Sequence, residues 1–107
     1  MSENLDELAL SKPMAAMSTP DIVRMINGQL DREFDRYRMV IFWQRLLESP
    51  TDKKVIAQAL CLVLSSGVYA KKSKQVDTVF NISVTAQGSS EDIAKAVAGA
   101  CEQAISR

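Results

Sequence analysis

Histidine is absent from this 107-residue sequence, and cysteine, proline and glycine are scarce, at two, three and four residues. Without histidine, the Ser-His and Cys-His catalytic pairs cannot form and the commoner zinc sites lose a usual ligand. No Cys-x-x-Cys pair, Gly-rich phosphate loop or nucleophile elbow occurs either, so cofactor and metal binding have no positive signal. The two cysteines, Cys61 and Cys101, fall in helix-forming stretches beside apolar neighbours. That suits reduced core thiols in a cytoplasm better than a structural disulfide.

Net charge is missing too. Thirteen Lys+Arg balance thirteen Asp+Glu, which excludes strong overall attraction to nucleic acid or anionic membrane but leaves room for a local basic patch. The apolar run Met39–Trp43, like every other in the chain, is far too short to span a bilayer. The opening MSENLDELALSKP lacks the apolar centre of a secretory signal. The expectation is a cytoplasmic protein that is not an enzyme, with no catalytic residues, cofactor, metal, membrane contact or small-molecule substrate.

What is present is 47% apolar residues, enough for one small domain with a thin core, since a chain of this size buries somewhat under about two-thirds of its unfolded surface. Residues 1–18 form an arm with an amphipathic stretch, Leu5, Leu8, Ala9 and Leu10, interrupted at Pro13. Thr19-Pro20-Asp21 signals a helix start, from the capping hydroxyl, the preset proline φ and the acid at the dipole. The stripe Ile22, Ile26, Leu30, Phe34, Tyr37 and Ile41 extends that helix to Glu48, where it would be about 43 Å long. Asn27-Gly28 is the one plausible break. Asp31, Glu33 and Asp35 alternate along the helix, and with Arg32, Arg36 and Arg38 they read as a solvated face of weak i,i+3 pairs. Met39–Trp43, which includes Val40, Ile41, Phe42 and Trp43, is apolar all round and needs cover on more than one side.

Ser49-Pro50-Thr51-Asp52 repeats the start signal. A second helix is expected from Pro50 to about Ser66, with Gly67 as its left-handed cap, closing a helical hairpin over residues 20–66. After Tyr69 comes a basic loop, Lys71, Lys72 and Lys74. Gln75–Thr85 then alternates, with Val76, Thr78, Phe80, Ile82 and Val84 on one face, which predicts a β-strand. Ser89-Ser90-Glu91-Asp92 opens a last helix over 90–106. The fold class expected is α+β, mainly helical, in a single domain over residues 19–107.

A lone strand cannot satisfy its backbone groups. Its partner would be the same strand in a second copy, the sheet edge of another protein, or a short strand in the amino-terminal arm. The first of these makes the chain a homo-oligomer, with Val40, Ile41, Phe42, Trp43, Val76, Phe80, Ile82 and Val84 at the interface. Lys71, Lys72 and Lys74, helped by Tyr69, would then form a collar for double-stranded DNA or a packaging motor protein, although three lysines in one copy contribute only weak, salt-sensitive attraction.

DKKVIAQALCLVLSSGVYAKKSKQVDTVFNISV, from Asp52 to Val84, resembles the helix, Gly, basic loop and strand near the end of small terminase subunits of tailed bacteriophages. NISVTAQGSSEDIAKAV, from Asn81 to Val97, is similar to the strand, turn and helix that close many phage tail tape-measure proteins. The resemblance implies a homo-oligomeric subunit of phage assembly or DNA packaging, working in the host cytoplasm. Small terminase subunits usually carry an amino-terminal helix-turn-helix, and residues 1–18 are too short for one. The alternative is a small adaptor or inhibitor that binds a host or virion protein through an apolar helix face or a strand edge.

Overall fold

The computed structural model describes residues 16–31, 35–65 and 73–105. Among them the secondary structure is helical throughout: α1 (Thr19–Asp31), α2 (Arg36–Glu48), α3 (Lys53–Leu64), α4 (Ser73–Thr85) and α5 (Ser90–Ile105). The fold is therefore all-α, and the expected α+β class is incorrect.

The largest correction is at Gln75–Thr85, expected as a strand and found inside α4. The same residues carry a helical stripe: Val76 and Phe80 are fully buried, Val79 and Val84 pack half-buried beside them, and Ile82 is 63% exposed. Period-two alternation places Val79 outside and Ile82 inside, and the structure does the reverse. A helix satisfies its backbone hydrogen bonds within the segment, so the strand's missing partner is no longer needed. That local economy outweighs the modest β preference of Val, Ile, Thr and Phe.

The long helix over 20–48 is also absent. The molecule measures 34 Å along its longest axis, too short for a straight helix of about 43 Å. Asn27-Gly28 stays helical within α1, and the interruption falls between Asp31 and Arg36. Asp35, extended at φ −133° and ψ 108°, caps α2 by accepting from the Arg38 amide. The break resets the helical phase. The buried set of α2 is Met39, Phe42, Trp43, Leu46 and Leu47, whereas Tyr37, placed in the stripe by continuous periodicity, is 75% exposed.

Caps differ from expectation by small shifts. Ser18, rather than Thr19, opens α1, its hydroxyl donating to the Asp21 carboxylate and accepting from the Asp21 amide. Ser49 closes α2, its Oγ donating to the Leu46 carbonyl at 2.7 Å, and Asp52 opens α3 by accepting from the Lys54 amide at 2.8 Å. Pro50 thus lies in the connection and not at the first helical position. At the end of α4, Gln87 takes φ 59°, a left-handed conformation that glycine adopts more readily than other residues. Ser89 opens α5 by accepting from the Asp92 amide at 3.1 Å.

Packing runs in the order α1, α3, α4, α5, α2, each helix against the next. Despite the short connection at residues 49–52, α2 and α3 do not lie side by side, so no hairpin forms there. Instead α2 crosses to α5, which makes the most extensive helix contact of the fold. Small residues on the inner face of α5, Ala94 and Ala98, let that contact be close. Trp43 stands at its centre, fully buried, with Phe42 at 5.5 Å and Phe80 of α4 at 6.1 Å between ring centroids. Met17, preceding α1, donates its amide to Thr51 Oγ1 at 3.1 Å, tying the start of α1 to the α2–α3 connection.

Gln29 breaks the pattern of the core. It lies on the buried stripe of α1 with Ile22, Met25, Ile26 and Leu30, at 4% exposure, and among the described residues its Nε2 has no hydrogen-bond partner. A buried donor without an acceptor costs about 1–3 kcal/mol. Gln29→Leu is accordingly expected to raise stability by about 1–2 kcal/mol in urea unfolding, from removal of that penalty; a destabilised variant would mean that the amide is satisfied.

Candidate binding groove over α5

Most of the charged side chains point to solvent, but a few meet in an open groove of about 440 Å³ whose floor is the outer face of α5. Ala96, Gly99 and Ala100 form the floor, with Lys95, Glu102 and Gln103 of α5, Gln75 and Val79 of α4 and Arg36 of α2 around it. The arrangement follows from the packing order: α5 has α2 on one side and α4 on the other, and the residues it turns outward are small.

Two polar contacts cross the groove. Arg36 Nη1 donates to Glu102 Oε1 at 3.0 Å, and Gln75 Nε2 donates to Gln103 Oε1 at 2.5 Å. Lys95 pairs with Glu91 one turn away on α5, at 3.1 Å. All these ions are well exposed, so each pair contributes at most about 1 kcal/mol to stability. Arg36 lies over Gly99: a Cβ at Gly99 would stand 3.4 Å from Arg36 Nη2. An alanine there would therefore make ordinary van der Waals contact with the guanidinium.

The residues singled out from sequence are dispersed. Lys71, Lys72 and Tyr69 lie outside the described residues. Lys74 is exposed in the first turn of α4, one residue from Gln75. Phe42, Trp43, Val76 and Phe80 are buried within the chain itself, Val40, Ile41 and Val84 are half-buried, and of that set Ile82 alone is exposed. Of the carboxylates, Asp35 serves as a cap, and among the described residues no His, Cys, Asp or Glu group is arranged to hold a metal. The groove residues of α5 carry no motif. Their only signal is the polar outer face of an otherwise apolar helix, which becomes meaningful once α2 and α4 supply the banks.

The cysteines differ from each other. Cys61 is exposed on α3, contrary to the expected core position, because the buried stripe there is Ile56, Ala59, Leu60, Val63 and Leu64. Cys101 is buried, and burial pushes its thiol up to about 12, with the Trp43 indole acting weakly in the opposite direction. That indole N–H makes no hydrogen bond of regular geometry. Since the folded thiol titrates above the unfolded one, the stability it contributes is whole below about pH 9 and is lost as pH rises through about 12. Folded protein at pH 8 is expected to give one thiol equivalent rapidly with an aromatic disulfide reagent, and the second only in denaturant. Two rapid equivalents would place Cys101 at the surface.

No helix among the described residues is long and apolar enough to cross a membrane. Comparison with protein-family models, curated proteins and solved structures finds no match. The two phage-like patterns each include an extended segment, at residues 75–85 and from Asn81 onward, and in the structure those residues belong to α4.

Proposed function

We propose that this chain is a small non-catalytic binding subunit, an adaptor or inhibitor that docks a segment of another protein in the groove over α5. The observation that carries this reading is the groove itself: small floor residues allow a peptide backbone to approach, and Arg36, Lys95, Glu102 and two amides on its banks offer polar contacts of both signs. Such a mixture suits a polypeptide better than a uniform polyanion, because Glu91 and Glu102 would face its charges.

A photo-crosslinking residue at the exposed position Ala96 is expected to trap one partner protein in near-stoichiometric yield, and one at Thr78, exposed on α4, is not. Equal trapping from both positions, or from neither, would overturn the reading.

A second reading is a homo-oligomeric phage assembly or DNA-packaging subunit. Exposed Lys74 supports it, as the described member of the Lys71, Lys72 and Lys74 cluster. It predicts a native mass that is a multiple of 11.8 kDa and DNA binding that weakens steeply with salt. The adaptor predicts neither.

A further inference from the structure

We infer that Asn27-Gly28 is a deamidation site kept closed by the docking of α1 on α3, and that its conversion to isoaspartate is a one-way change that releases α1.

The chemistry needs only water. The Gly28 backbone nitrogen attacks the side-chain carbonyl carbon of Asn27; the side-chain amide leaves as ammonia, taking the proton from that nitrogen, and a five-membered succinimide forms. Water then opens the ring at one of its two carbonyls, giving aspartate or isoaspartate. Asn27 and Gly28 are the one Asn-Gly pair in the sequence, and glycine, with no Cβ, leaves its nitrogen least shielded. Asn27 is exposed on α1 and makes no hydrogen bond among the described residues. Asn81, by contrast, precedes the bulky Ile82, and its amide donates to the Asp77 carbonyl and carboxylate at 2.9 and 3.1 Å.

The fold sets the gate. Within α1 the Gly28 N–H is committed to the carbonyl one turn back, and the helical ψ of Asn27 keeps that nitrogen away from the side-chain carbon, so the ring closes only when α1 opens. Such opening is local, because α1 stands at one end of the packing order with α3 as its main support. Beside Gly28, the buried Gln29 amide has no partner among the described residues, and opening hydrates it. Isoaspartate then adds a carbon to the main chain at residue 27. The helical phase is lost there, and Ile22, Met25 and Ile26 no longer share one buried face with Leu30.

The test incubates the full chain at pH 8, folded and in guanidinium chloride, and locates isoaspartate by peptide mapping. It is expected at residue 27 alone, at least tenfold more slowly in the folded protein, at a rate that follows hydrogen exchange of the α1 amides and not the slower exchange of α5. Gln29→Leu is expected to slow the folded reaction several-fold and leave the unfolded one unchanged. In the purified isoaspartate form, α1 amides are expected to lose protection while those of α5 keep theirs; Asn27→Asp, which adds the charge without the extra carbon, is expected to keep both. Equal rates in folded and unfolded protein, a folded rate tied to α5 exchange or untouched by Gln29→Leu, or an isoaspartate form with α1 still protected would each overturn the inference.

Discussion

Trp43→Ala is expected to lower unfolding free energy by about 3–5 kcal/mol, the usual cost of removing a buried aromatic side chain. A domain of this size has about 5–15 kcal/mol in total, so the variant should sit near its unfolding midpoint at low urea. The reasons are local. Trp43 is fully buried, stacks edge-on with Phe42 and tilts against Phe80, so its loss opens a cavity shared by α2, α4 and α5. Among the described residues the indole N–H has no regular acceptor, so Trp43→Phe removes volume and at most an irregular contact with the Cys101 thiol, and should cost far less than alanine. Urea unfolding followed by circular dichroism measures both. A Trp43→Ala loss below about 1 kcal/mol, typical of surface sites, would show that the indole does not bridge the three helices.

Phe80→Pro is expected to unfold the chain altogether. Proline inside α4 removes a helical hydrogen bond and clashes with the preceding turn, costing about 3 kcal/mol or more. Loss of the buried ring adds about 3–5 kcal/mol. The sum approaches the total stability. The expected result is loss of helical signal across the chain with an expanded hydrodynamic radius, at any protein concentration. Had residues 75–85 formed an intersubunit strand, the same change would have reduced assembly and spared the helices. Full helical content with only a lower mass would therefore contradict α4.

Part of this fold is legible in the order of the residues. Helix starts near Ser18, Asp52 and Ser89 are visible to within a few residues, because a capping hydroxyl or carboxylate acts on amides two or three positions away and needs no distant contact. The buried positions of α3 and α5 follow from single-turn periodicity in the same way. Val76–Val84 reads as a strand because four of its five apolar residues fit each period, Val79 missing the alternating face and Ile82 the helical one, and the choice depends on which of the two finds cover. Only Val79 does. The lack of any partner strand is the sequence's own argument against extension.

The candidate groove is not legible in the sequence at all. Arg36 and Glu102 are 66 positions apart, and Gly99 comes beside Arg36 only once α2 packs on α5. Sequence alone determined the chemistry on hand: no imidazole, two thiols, balanced charge and enough apolar residues for one thin core. It also determined, through local hydrogen bonding, where most helices begin. Tertiary structure decided that α2 turns from α3 to pack on α5, that Trp43 and Phe80 are core and not interface, and that an Arg, a Gly and a Glu share one surface. Capping and periodicity act within a turn or two of helix. Burial and the meeting of distant charges depend on how whole helices share the limited apolar surface of a small core.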